Sequence, residues 1–163
     1  MKVEVYSDGS SEGNSTGSAG WAYVIVVDGA KHSEGSGGFG VGTNNIAEIK
    51  GASEGLAAVA ASKDLCQATE VVLISDSQLV LNFAAGTWRC KKHHLVPYVI
   101  ALRKAFQQTN ATTRWVKGHS GDLYNEQCDN LAKSARIAAK PNSNGQGNQV
   151  VNVLPRQAGN KVP

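Results

Sequence analysis

A length of 163 residues suits one domain with a single buried core, and the composition is that of an ordinary α/β protein, rich in glycine and sparse in aromatics. No apolar run approaches the ~20 residues of a bilayer span, no leader is expected ahead of the first strand, and the scattered Cys66, Cys90 and Cys128 speak against a disulfide framework, so the expected location is the cytoplasm. The net charge of +3 names no partner.

Lys2–Asp8 alternates apolar and polar residues around Val3 and Val5 and ends at Asp8-Gly9, which predicts a strand running into a turn. Trp21–Val27 predicts a second strand. Asp28-Gly29 is a hairpin signal, so Lys31–Phe39 should return antiparallel, a weak strand near an edge because glycines run through it. Asn45–Lys63 predicts a helix with Ile46, Ile49, Leu56, Val59 and Ala60 on one face. Val71–Ile74 is a short unbroken apolar run, as in a strand covered on both sides. Helices should follow at Ser77–Ala85 and His94–Gln107, then a strand at Thr112–Val116. A last helix, Leu123–Ala139, should turn Cys128, Leu131, Ala132 and Ala135 inward.

This order predicts an α/β fold: a five-stranded mixed sheet, an antiparallel meander extended by parallel strands through helical crossovers, flanked by helices. Residues 1–139 would form the domain. Residues 140–163, dominated by Pro, Asn, Gly and Gln, read as a tail outside the core in which only Gln149–Leu154 has strand character.

Charge is distributed unevenly. Ser77 through Gly121 holds no Asp or Glu, but carries Arg89, Lys91, Lys92, Arg103, Lys104, Arg114 and Lys117. Such a block suits a phosphate backbone, and it equally suits a solvated face.

Two strands end alike, in Ser7-Asp8-Gly9-Ser10 and Ser75-Asp76-Ser77-Gln78. In α/β sheets ligands bind beyond the carboxyl ends of strands. If the two strands are parallel neighbours, Asp8 and Asp76 meet there, and a divalent cation would relieve their repulsion. One such Asp alone would be read as a turn or cap residue; the matching pair favours a site. Glu48 fits a capping box begun by Asn45, yet borders the apolar face of its helix. Asp129 lies beside inward-facing Cys128 and reads alone as a helix-surface acid. His119, between Gly118 and Gly121 in a loop, would reach the carboxylates as a proton carrier.

Taken together, these segments resemble the type 1 ribonuclease H family. The resemblance rests on Tyr6-Ser7-Asp8-Gly9-Ser10, Thr43-Asn44-Asn45-Ile46-Ala47-Glu48, Ser75-Asp76-Ser77-Gln78, Trp115-Val116-Lys117-Gly118-His119-Ser120-Gly121 and Asn125-Glu126-Gln127-Cys128-Asp129-Asn130-Leu131-Ala132, in the family's order. It implies an endonuclease cutting the RNA strand of RNA–DNA hybrids and leaving 5′-phosphate and 3′-hydroxyl ends. Asp8, Glu48, Asp76 and Asp129 would hold two Mg²⁺ ions, with Mn²⁺ able to substitute. His119 would assist the leaving group or product departure, with Glu126 nearby. Asn14, Asn44, Asn45 and Gln78 match positions that reach the minor groove, and Thr43 matches a contact to a DNA phosphate.

Many family members carry a basic helical handle for which Asn82–Leu95 leaves no room, so Trp88, Arg89, Lys91 and Lys92 should supply the substrate grip. A monomer without a small-molecule cofactor is expected. The alternatives are a non-catalytic hybrid- or duplex-binding module, which loss of a carboxylate would favour, and a related nuclease also acting on double-stranded RNA. Gly35–Gly40 fits a dinucleotide fingerprint but starts no helix. Cys90 with His93 or His94 is half a zinc site.

Overall fold

The computed structural model describes residues 1–13 and 17–140, with the backbone of residues 150–151. The first alternating segment forms β1 (Lys2–Ser11). It runs past the expected turn at Asp8-Gly9 because β2 (Ala19–Val27) supplies antiparallel partners as far as Ser11 opposite Ala19. The hairpin signal holds: Asp28 and Gly29 both take positive φ, 47° and 84°, and return the chain as β3 (Ala30–Phe39).

Next come α1 (Asn44–Ala61), β4 (Glu70–Ser75), α2 (Gln78–Ala85), α3 (Val96–Gln108), β5 (Thr112–Trp115) and α4 (Leu123–Ala138). The strands lie in the order β5-β4-β1-β2-β3, with β1–β4 and β4–β5 parallel and the other pairs antiparallel. This is the expected five-stranded mixed sheet. Val150–Val151 adds a two-residue β6 antiparallel to Ser36 and Gly37 of β3. An unpaired strand edge offers N–H and C=O groups that such a segment can satisfy.

Alternation along the strands sends side chains to two faces. Val3, Val5, Ile25 and Leu73 meet Ile49, Leu56, Val80 and Leu102 of α1, α2 and α3. Tyr6, Val24, Val26, Val72 and Ile74 meet Cys128 of α4. β4, buried on both faces, explains its unbroken apolar run. With Tyr6 level with Ile74 in the parallel β1–β4 pair, the two Ser-Asp sequences arrive side by side at the carboxyl end of the sheet.

Candidate active site

Asp8 points from β1, Asp76 follows the last residue of β4, and Glu48 stands in α1. Each offers one carboxylate oxygen, and those three oxygens lie within 4.8 Å of one another. Local packing sets this closeness. A Cβ on Gly9 would run into the backbone nitrogen of Glu48 and meet the Ala47 carbonyl carbon at 2.7 Å, so only glycine lets α1 approach the strand here.

The capping-box reading of Glu48 is corrected. Thr43 is the cap of α1: its hydroxyl accepts the Ile46 N–H at 3.3 Å and its carbonyl accepts the Ala47 N–H at 3.1 Å. A threonine hydroxyl on extended backbone two residues upstream of Asn45 takes the role first. Glu48 is therefore a full turn into the helix and has no cap to close. Its carboxylate instead accepts from the Asn44 amide at 3.1 Å and from the Ser77 hydroxyl.

All three carboxyls titrate above the ordinary carboxylate range. Burial raises Asp8 most, the neighbouring Asp76 adds to it, and together they push it up to about 8 despite the Gly9 N–H donated at 2.8 Å. Glu48 is raised by burial and by Asp76, against the Ser77 and Asn44 hydrogen bonds. Burial also raises Asp76, while Asn125 and His119 oppose the shift. Three crowded acids with only oxygen donors form a set suited to a hard divalent cation.

Asp129 is near enough to act on Asp8 and Asp76 through its charge, but it stands outside the group of three. Its carboxylate is paired with Lys133, one helical turn on, at 2.8 Å. His119 is exposed, with φ of 54°, in the connection from β5 to α4. That connection wraps around Asp76. The Trp115 indole N–H donates to the Asp76 carbonyl at 3.0 Å. A Cβ on Gly118 would stand 2.8 Å from Asp76 Oδ2. Glu126 is exposed in the first turn of α4.

Residues 1–137 match the family model described as RNase H. The chain belongs to the RNase H family. Among relatives, a ribonuclease H of Campylobacter concisus is 34% identical over 144 residues, which is 85% of this chain and 94% of that one. A ribonuclease H of Lachnoclostridium phytofermentans is 35% identical over 151 residues, covering 83% and 92% of the two chains. Among solved structures, RNase H1 of Halobacterium salinarum superposes with a TM-score of 0.71 at 30% identity, over 85% of this chain and all of that one. The N-terminal RNase H domain of a Mycobacterium tuberculosis protein gives 0.72 at 28%, over 85% and 95%.

Of the residues that resemblance to the RNase H family assigns to substrate, the structure gathers one group. Asn45, Trp88, Arg89, Lys91 and Lys92 line a groove of about 430 Å³, with Leu79 and Phe83 among its walls. Residues 86–92 join α2 to a short 3₁₀ turn, His93–Leu95, without a helix, in accord with the missing handle. Gly86 ends α2 in the left-handed region, and Arg103 fixes the segment by donating to the Phe83 and Trp88 carbonyls at 3.0 and 2.9 Å. Thr43 and Asn44 flank the start of α1, and Gln78 is exposed at the start of α2. Asn14 lies outside the described residues.

Two cations of the acid-free block are engaged by the chain itself. Arg103 serves the Trp88 segment, and Arg114 pairs with Glu4 at 2.8 Å and donates to the Tyr6 hydroxyl at 3.2 Å. Residues that sequence reasoning passed over are Ser77, Trp115 and Asn125, all of which touch the carboxylates or their backbone. All three stand inside the segments that carry the family resemblance, but none was given a role there.

Proposed function

We infer that this chain is a ribonuclease H that hydrolyses the RNA strand of RNA–DNA hybrids, leaving 5′-phosphate and 3′-hydroxyl ends. The observation that carries the reading is the meeting of Asp8, Glu48 and Asp76 within 4.8 Å in a chain whose residues 1–137 match the RNase H family. Asp8, Glu48 and Asp76, joined by Asp129, would hold Mg²⁺, two ions per site, with Mn²⁺ as a substitute. When bound, the ions supply activation of water and charge stabilisation at the leaving 3′ oxygen.

The rest falls to the chain's own residues. His119, exposed beside Asp76, carries a proton to the leaving oxygen. Arg89, Lys91 and Lys92 hold phosphates along the groove, with Trp88 as an apolar wall. Asn44, Asn45 and Gln78, at two helix starts flanking the acids, read 2′-hydroxyls from the minor-groove side, as does Asn14. Thr43 contacts the DNA-strand phosphate. Residues 1–139 form the catalytic unit, with 140–163 as an appendage. The protein acts as a monomer, without a small-molecule cofactor, in the cytoplasm; among the described residues no helix is long and apolar enough to cross a membrane.

The test is incubation with labelled hybrid, double-stranded RNA and double-stranded DNA, with and without Mg²⁺. Cleavage of the RNA strand of the hybrid, only with Mg²⁺, is expected. Binding without cleavage under any divalent cation would overturn the reading.

A further inference from the structure

Trp88, Arg89, Lys91 and Lys92 line the groove beside α2 from a segment, residues 86–92, that no helix or strand holds in place. The segment starts firmly. Gly86 turns the chain out of α2 in the left-handed region, and the Thr87 and Trp88 N–H groups both donate to the Asn82 carbonyl, at 3.0 and 3.4 Å. The Thr87 hydroxyl bonds the Asn82 side-chain oxygen at 2.6 Å. Beyond Trp88 these ties to α2 stop. Arg89, Lys91 and Lys92 are exposed and alike in charge, so they repel one another, and ordering them costs backbone entropy.

Arg103 of α3 supplies a further tie. Its Nε donates to the Phe83 carbonyl at 3.0 Å and its Nη2 to the Trp88 carbonyl at 2.9 Å. Among the described residues, the second of these is the one hydrogen bond that joins residues 87–91 to α3. Phe83 stands in the last turn of α2, where the carbonyls carry the negative end of the helix dipole. Nε–H and a terminal N–H lie on one edge of a rigid, planar guanidinium, so one side chain spans both carbonyls. A lysine ammonium would bring the same charge on a mobile stem, without the fork. No carboxylate draws Arg103 away. The stretch from Ser77 to Gly121 holds no Asp or Glu, and Arg103 is in none of the ion pairs among the described residues.

We propose that Arg103 is a positioning residue for the substrate: it holds residues 86–92 in the arrangement that lines the groove, and so sets the affinity for the hybrid's phosphates without touching them. This rests on the reading of that groove as the place where those phosphates bind. A segment that forms its binding surface part of the time binds more weakly by that fraction. Loss of a charge-assisted hydrogen bond shifts such a balance by about tenfold or more. Arg103 bonds to none of Asp8, Glu48 and Asp76, so the chemical step is left alone.

The experiment measures kcat and KM on hybrid, and melting, for wild type, Arg103→Ala, Arg103→Lys and a triple variant with Arg89, Lys91 and Lys92 replaced by alanine. A fifth protein adds Arg103→Ala to the triple variant. Arg103→Ala should raise KM about tenfold with kcat near wild type. Arg103→Lys, which keeps the charge without the fork, should leave KM well above wild type. In the triple variant Arg103→Ala should add little, because a clamp on a segment stripped of its cations has little left to position. A direct phosphate contact by Arg103 would instead raise KM again by the same factor in the triple variant, and would leave Arg103→Lys close to wild type; either result overturns the proposal. So does a wild-type KM in folded Arg103→Ala, or unfolding of both single variants, which would assign Arg103 to the fold alone. If the triple variant keeps the wild-type KM, or wild type cuts no hybrid, the underlying reading fails and takes the proposal with it. If the triple variant loses affinity and Arg103→Ala does not, only the role of Arg103 fails.

Discussion

Asp129 and Lys133, one turn apart on α4, are joined at 2.8 Å, and the paired carboxylate stands outside the group formed by Asp8, Glu48 and Asp76. The lysine is nearly half exposed, so the pair is weak, about 0.2–1 kcal/mol. A cation that recruits Asp129 has little to overcome. Lys133→Ala should therefore tighten Mg²⁺ binding to the metal-free protein by up to about fivefold, read by calorimetry. An unchanged isotherm would mean that Asp129 acts only through its distant charge.

Asp76→Asn should abolish cleavage while leaving hybrid binding largely intact, since an amide cannot replace an anionic ligand for a hard cation. Cleavage assays and a filter-binding titration of the same preparation check both halves. Robust Mg²⁺-dependent turnover would remove Asp76 from the chemistry.

Crowding at the site also sets how stability depends on pH. In the folded, metal-free protein Asp8 is protonated up to about pH 8, whereas in the unfolded chain it ionises near pH 4. The folded form thus holds the extra proton, and stability falls as pH rises from about 4 to about 8, then levels off. Asp8→Asn removes this loss. At pH 8.5 in EDTA, the variant should melt higher than wild type by roughly 3–8 °C, and the two should converge toward pH 4. Mg²⁺, bound only by the folded form, should raise the wild type more. A lower melting temperature for Asp8→Asn would assign Asp8 a structural hydrogen bond through the Gly9 N–H.

The groove beside α2 gives a prediction about affinity. Replacing Arg89, Lys91 and Lys92 by alanine should raise KM about tenfold or more and leave kcat near wild type. The salt dependence of hybrid binding should flatten by nearly one unit of slope for each phosphate that the variant no longer neutralises. An unchanged slope would place the phosphate-binding cations elsewhere, with Lys104 and Lys117 the next to replace.

Much of this was legible in the sequence because period and position carry it. Alternation pointed to β1, the apolar run to β4, and the repeated Ser-Asp at two strand ends to the pair at the centre of the site. The remainder depends on partners that periodicity does not encode. β1 outruns Asp8-Gly9 because β2 happens to lie alongside as far as Ala19. The cap of α1 falls to Thr43 through one hydroxyl. Arg103 and Arg114 look like cations for a ligand until carbonyls and Glu4 are found beside them. The Trp115 indole reaches the Asp76 carbonyl, 39 positions earlier in the chain, and no periodicity reports it. The strand character of Gln149–Leu154 was visible, but the pairing of Val150 and Val151, the two of them that are described, with Gly37 and Ser36 was not.

The parallel pairing of β1 with β4 has a consequence for the timing of synthesis. Asp8 and Glu48 leave the ribosome early, while the strand that delivers Asp76 follows only after α1 and must be inserted beside β1. The segment that wraps Asp76, from Trp115 to Asn125, emerges later still. A chain halted before β4 carries Asp8 and Glu48 but lacks the third acid of the group. The group of three acids is therefore completed only once β4 has been made and paired with β1, and its wrapping segment is added after it.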